Sequence, residues 1–279
     1  MYKIILLCII FCILLLILYL INNNNNISQN VVNNLPENVK YPSILVLNRD
    51  GKYCNKISYF TEKILLIYNL NTNYYSCFLN NKNNQCLKDE FDNLNIYNDN
   101  FSNITLFGIN YRLYLGVLFK NKYNIISLNT KRTYKTDFKN ISIFKINDKI
   151  YNIDSISPFI VYEISDKTFK ITKEFININI NTNYKDFKII SNPILINNIY
   201  WLLIYNNNYL ILITFEINNK FTKIINEYKL NYKTNIYYNN LIYNELTNEF
   251  LISVINKNNK ISIFKIKKNY IIKLNESIK

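Results

Sequence analysis

Apolar residues in this chain come in short runs rich in Ile, Tyr, Phe and Val, separated by polar, Asn-rich stretches. Helical spacing is scarce. Runs of this length, bounded by turn-forming residues, predict antiparallel strands joined by hairpins. Asn suits the turns because it tolerates positive φ nearly as well as Gly. The chain has only three glycines, Gly51, Gly108 and Gly116, so Asn must do most of that work. The runs recur as a unit of strand, polar turn and strand: ISYF-TEK-ILLIY (57–68), ITLF-GINYR-LYLGV (104–117), ISIF-KINDK-IYNI (141–153), NPIL-INN-IYWLLIY (192–205) and NNLI-YNELTNE-FLISV (239–254). The turns fall near residues 61, 110, 147, 197 and 247. Their spacing of about 37–50 residues matches the roughly 40–50 residues of a four-stranded propeller blade. The expected fold is all-β, a five-bladed β-propeller over 41–279. A β-sandwich built of hairpins is the alternative.

Residues 4–21 follow a different pattern: IILLCIIFCILLLILYLI is continuously apolar and uncharged. As a helix it would span about 27 Å, close to the roughly 30 Å hydrocarbon core of a bilayer. Lys3 precedes it, and no cation follows until Lys40. Positive charge on the short side predicts a type II orientation, with 1–3 as a cytosolic stub and the rest in the lumen or outside. A cleaved signal peptide has a shorter apolar core and a small-residue cleavage site, and Leu20, Ile21 and the following asparagines offer none. The expectation is an uncleaved transmembrane signal-anchor, with a cleaved signal or a buried soluble helix as alternatives. The polar, non-periodic residues 22–40, which include Pro36, read as a flexible stem.

Composition narrows the chemistry. The chain has no histidine, which excludes Ser-His-Asp and Cys-His catalysis and His-ligated zinc. Three scattered glycines cannot form a phosphate-binding loop or a dinucleotide fingerprint. No cofactor and no metal site is expected. The net charge is +14, but nearly all of the cations are lysines spread through strand-like segments. Only Arg49, Arg112 and Arg132 offer the bidentate geometry that nucleic-acid recognition prefers, so no nucleic-acid partner is expected. Lys, Asn, Ile, Tyr and Phe are also the residues of A/T-rich codons, as in a large DNA virus or a protist.

Cys8 and Cys12 lie in the apolar run. Cys54, Cys77 and Cys86 lie in the expected external domain, where at most one intrachain disulfide can form. Cys77 with Cys86 would close a short polar loop; Cys54 with Cys77 is the alternative. Sequons at Asn26, Asn100, Asn103, Asn140 and Asn275 fit an external domain, although an Asn-rich chain produces such sequences by chance.

The blade motifs resemble the five-bladed propellers of the glycosidase and glycoside-phosphorylase type and related domains attached to glycosyltransferases. Such domains carry K-N-W-x-P-F, N-G-K-L-Y and Y-S-I-x-P strings. This chain has Lys139-Asn140-Ile141-Ser142-Ile143-Phe144, then Asn147-Asp148-Lys149-Ile150-Tyr151, then Ser155-Ile156-Ser157-Pro158 and Glu163. In the preceding blade Ser102-Asn103-Ile104-Thr105-Leu106-Phe107 stands where the family has E-D-P-R-L-F, followed by Asn110-Tyr111-Arg112-Leu113-Tyr114. Glu249-Phe250-Leu251-Ile252-Ser253 and Asn256 match the last blade. The resemblance covers about residues 52–266 and implies a carbohydrate-related function.

The departures point away from catalysis. Asn103 stands where the resemblance implies an acid, and an amide neither transfers a proton nor attacks an anomeric carbon. Asp50, Asp99, Asp154, Glu163 and Asp186 remain as carboxylates near blade mouths, with Asp99 and Asp154 the catalytic candidates. Aligning the first strands of the blades puts Asn55, Asn103, Asn140, Asn192 and Asn239 at matching inner positions, a possible ring of sugar-binding amides. Trp201, flanked by Tyr200 and Tyr205, is a candidate stacking platform, with a core residue as the alternative. The expected function is glycan binding, or a non-catalytic accessory role in glycan processing, by a membrane-anchored propeller. The alternatives are an active glycosidase or glycosyltransferase, and a structural or attachment membrane protein such as one of a virion.

Overall fold

The computed structural model describes residues 13, 27–33, 35, 39–70, 73–80, 85–86, 92–93, 102–119, 121–177, 184, 186–206, 209–217, 222–230, 237–255 and 260–271. The expected anchor, 4–21, lies outside these residues except for Ile13. No helix among the described residues is long and apolar enough to cross a membrane.

The strands form five sheets. Strand β1 is Ile27–Val31. The first blade holds β2 (Val39–Leu47), β3 (Tyr53–Cys54), β5 (Lys63–Leu70), β6 (Asn73–Asn80), β7 (Gln85–Cys86) and β8 (Asp92–Asn93), while the short β4 (Lys56–Ile57) crosses to the last blade. The second blade runs β9 (Ser102–Ile109), β10 (Arg112–Phe119), β11 (Lys122–Ser127) and β12 (Thr133–Lys135). The third runs β13 (Ile143–Ile146), β14 (Lys149–Ile156), β15 (Phe159–Ile164) and β16 (Ile171–Asn177). In the fourth, β17 (Lys188–Ile189) and β18 (Ile194–Ile196) both pair β19 (Ile199–Tyr205), followed by β20 (Leu210–Ile217) and β21 (Thr222–Leu230). The fifth runs β22 (Tyr237–Asn244), β23 (Glu249–Ile255) and β24 (Ile261–Lys267), and its outermost strand is β1.

The apolar side chains form five separate clusters, one between each pair of neighbouring blades, including the last and the first. Five blades in an open row would have four such interfaces. The fifth closes the ring. The chain is a five-bladed β-propeller. This layering explains the strand sequences. Middle strands such as IYWLLIY and LILITFEI are packed on both faces, so they are apolar throughout. Outer strands keep one wet face, and β12 is the polar TYK.

Each blade turns from its innermost strand to its second strand at the same end of the ring, called here the turn face. These turns contain Asn110, Asn147, Asn197, Asn198 and Asn248, all at positive φ, so Asn supplies the left-handed residue. In the first blade this connection is longer. Residues 48–62 form a strap across the turn face that carries β3 and β4.

Two expectations change. Residues 22–40 are not one flexible stem: Ile27–Val31 is built into the fifth blade and Val39 begins the first. The run 57–60 is not an inner strand but part of the strap. The inner strand of the first blade is β2, whose YPSILVL lies upstream of the repeat unit assigned to it. The structure joins Cys77 to Cys86, tying β6 to β7, and leaves Cys54 as a free thiol.

Candidate functional site

The propeller axis is where five inner strands converge, and here it is filled with protein. Asn240 lies at a β-bulge in β22 with φ of 56°, opposite no residue of β23. The bulge turns its side chain toward the axis. Its Nδ2 donates to Ile44 O of the first blade (2.6 Å) and Leu106 O of the second (3.1 Å). Its Oδ1 accepts from Leu241 N (2.9 Å) and from Asn192 N of the fourth blade (3.4 Å). Its own N–H donates to Ile190 O (2.7 Å). Asn192 reaches the other way, donating to Leu106 O (2.8 Å) and accepting from Ile143 N of the third blade (2.9 Å). Ser142 Oγ donates to Ser191 O (2.8 Å), and Ser43 Oγ accepts from Leu106 N (3.1 Å). Asn192, Asn240, Ser43 and Ser142 are all fully buried. The network links all five blades and leaves these amides committed to backbone groups.

Of the amide ring expected from the sequence, Asn192 and Asn239 are buried and bonded to backbone. Asn239, 2 % exposed, donates to Ile104 O. Asn140 donates to Asp154 O (2.8 Å) and lies at the start of the third blade. Asn55 lies in the strap, where its backbone carbonyl accepts from Tyr243 N and its buried Oδ1 has no partner. Asn103 lies in β9 at a register shift, and its side chain is outside the described residues. Trp201 is 4 % exposed and stacks on Tyr228 with ring centroids 5.2 Å apart, in the core between the fourth and fifth blades. It is a packing residue, because the second strand of a blade is covered on both sides.

Asp99 lies outside the described residues. Asp154 is 2 % exposed, at a β-bulge in β14. Its Oδ1 accepts from Lys139 N (2.7 Å) and Asn140 N (3.3 Å), clamping the segment that leads into the third blade. Asn152 completes the clamp, donating to Asn140 O (3.0 Å) and accepting from Ser142 N (2.8 Å). Burial pushes the Asp154 carboxyl above its ordinary value, opposed by the two backbone donors and Lys139 and assisted by Glu174. Asp50 lies 3.9 Å from Arg49, Glu163 is paired with Lys149 (3.0 Å) and Asp186 is exposed. Among the described residues no second carboxylate hydrogen-bonds to the Asp154 clamp.

Exposed apolar side chains gather elsewhere, on the turn face. Phe60 is 86 % exposed, and Tyr59, Tyr111 and Leu246 are exposed beside it. The strap unites them. On one side Tyr53 N donates to Asn110 O (3.0 Å), and Tyr53 lies directly over Gly108, where a Cβ would fall 2.1 Å from the tyrosine's own. On the other side β4 pairs in parallel with Tyr243 and Asn244 of β22. There Glu245 accepts from Ser58 Oγ (2.6 Å) and pairs with Lys56 (2.5 Å). Burial raises the Glu245 pKa, but the hydrogen bonds of Lys56 and Ser58 and the charge of Lys56 outweigh it and leave the carboxyl below its ordinary value. Glu62, buried, accepts from Ser58 N (2.6 Å) and Tyr59 N (3.1 Å), and fixes the bend that projects Phe60. Arg49 lies over the Tyr59 ring (4.1 Å) and Lys52 over the Tyr111 ring (5.6 Å). The Cys54 thiol is half-buried within the strap, donates to Lys56 O (3.2 Å) and is pushed up by burial.

No family model matches this chain, and no curated protein matches it. Solved structures do. A luciferin-regenerating enzyme is 9% identical, with a TM-score of 0.47 over 76% of this chain and 75% of that one. A chain of a nidogen/laminin complex is 11% identical, with a TM-score of 0.42 over 71% and 76%. The N-terminal domain of Nup159 is 9% identical, with a TM-score of 0.39 over 72% and 73%. The five-bladed ring stands on its own strand order and its five interblade cores.

Sequence reasoning missed Asn240 and Phe60. The Asn239-Asn240 pair was visible, but the bulge that selects the second asparagine is not. Phe60 was read as strand because ISYF resembles ISIF of the third blade. Asp50-Gly51, at the start of the strap, is the available sign of a longer connection.

Proposed function

We propose that this chain is a membrane-anchored propeller with a non-catalytic binding or accessory role, held by residues 4–21 in a type II orientation. The observation that carries the reading is the closed axis. The place where an open propeller would expose reacting groups is filled by amides bonded to backbone, and the catalytic candidate Asp154 is buried and bonded to the backbone of Lys139 and Asn140. Binding then falls to the outer surfaces of the ring. The glycan class of ligand rests on the resemblance of the blade motifs, and its recognition would use those surfaces rather than the buried asparagines.

Two measurements test this. The purified full chain, assayed on a panel of glycosides with and without phosphate, is expected to show no enzyme-like turnover. Robust turnover abolished by Asp154→Asn would replace the binding module with an enzyme. Protease treatment of sealed microsomes is expected to spare a C-terminal tag until detergent is added. Digestion without detergent would remove the type II assignment.

A further inference from the structure

The direction of β1 fixes where the chain joins the ring. Strand β24 runs toward the turn face, where Lys268 N bonds to Asn248 O. Strand β1 is antiparallel to it, with Ile27 opposite Ile266 and Val31 opposite Ser262. Ile27 therefore stands at the turn-face end of the fifth blade. Only Asn22 to Asn26 separate it from the apolar run 4–21. Five residues reach no further than about 18 Å even when fully extended. A bilayer crossed by 4–21 would thus lie against the turn face and not the opposite one.

That face has the composition of a bilayer contact. Phe60, Tyr59, Tyr111 and Leu246 are exposed apolar side chains on it. Tyrosine favours the headgroup level because its ring has an apolar body and a polar tip. Arg49, Lys52 and Arg112 are exposed on this face, with Asp50 and Glu245 as exposed acids among them. Basic residues can hydrogen-bond the phosphate groups that every phospholipid headgroup carries. Exposed apolar patches rimmed by polar residues mark membrane or protein contacts, and the short tether selects the membrane.

We propose that the turn face docks on the bilayer that residues 4–21 cross, with Phe60 entering the headgroup layer and Arg49, Lys52 and Arg112 facing the lipid phosphates. The inference rests on the anchor reading above. It directs the opposite face, which carries Lys122, the Ser157-Pro158 turn and Tyr209, outward to a partner.

The test uses the full chain reconstituted into vesicles of phosphatidylcholine and phosphatidylserine brominated near the headgroup. Phe60→Trp and Tyr209→Trp place a reporter on opposite faces at exposed positions, and the buried Trp201 of the unmodified chain gives the background. The Phe60→Trp emission is expected to fall by about half relative to unbrominated vesicles, and the Tyr209→Trp emission to stay level. Adding Arg49→Glu and Lys52→Glu to Phe60→Trp should relieve the quenching. Equal quenching at the two positions, or none at position 60, while the chain still floats with the vesicles after a carbonate wash, would overturn the docking and leave the anchor intact. Release of the chain by the wash would remove the anchor, and the docking with it.

Discussion

The axis and the strap reverse the usual distribution of residues. At the axis, polar Asn192, Asn240, Ser43 and Ser142 are fully buried; on the strap, Phe60 is almost fully exposed. Buried polar and exposed apolar residues are the informative exceptions in a globular fold, but they inform about different things. Each axial amide has backbone partners in other blades, so its burial is repaid in ring closure. The exposed Phe60 has a rigid mount, Glu62 beneath it and Lys56–Glu245 beside it, and no such internal use. A polar centre in a propeller is thus not in itself a ligand site. The hydrogen-bond partners decide.

Asn240→Ala separates the two regions most strongly. It removes the donor to Ile44 O and places an ordinary side chain at positive φ. A loss of about 2–4 kcal/mol is expected in urea unfolding. Asn240→Gly should recover the backbone share, about 1 kcal/mol. An Asn240→Ala variant as stable as the parent would mean that the axial network contributes little.

Gly108→Ala acts on the strap mount. The new methyl meets Tyr53 and must lift the strap from the second blade, at a cost of about 1–3 kcal/mol. Cys54 reports the lift. Its reaction with a maleimide should accelerate in Gly108→Ala and remain at the parent rate in Asn192→Ser, provided both are compared well below their unfolding midpoints.

Asp154 gives a smaller, pH-dependent effect. Its carboxyl is raised above 3.8 in the folded chain, chiefly by burial. The folded state therefore holds the proton more tightly than the unfolded one. The contribution is present in full below the ordinary value and is lost as pH rises through the folded value. Asp154→Asn should remove that fall from the urea midpoint measured upward from pH 4. An unchanged pH profile would place the clamp's titration elsewhere.

Phe60→Ala should change stability least, within about 0.5 kcal/mol, because the ring is already in water. A larger loss in urea unfolding would show that Phe60 packs against the fold and does not serve as a contact residue.

Much of the ring was legible because one local device repeats. Asn110, Asn147, Asn197 and Asn248 each occupy a left-handed turn position between apolar runs, and a chain with three glycines has little else to use there. The polar β1 was not legible: ISQNV has no period, and only its long-range partner β24 makes it a strand. The axial contacts were hidden for a related reason. Register shifts at Asn103, Asp154 and Asn240 offset the pairing there, so spacing alone selects Asn239 and passes over its neighbour Asn240.

The pairing of β1 with β24 has a consequence for synthesis. Among the described strands, the first to be synthesised pairs with the last. At about 5–20 residues per second, the stretch from Val31 to Ile261 takes roughly 10–50 s to make. Throughout that interval β1 has no neighbour to cover its edge. An apolar strand waiting that long would recruit other nascent chains. Ser28, Gln29 and Asn30 make β1 a polar edge, which fits a strand whose partner is made so much later.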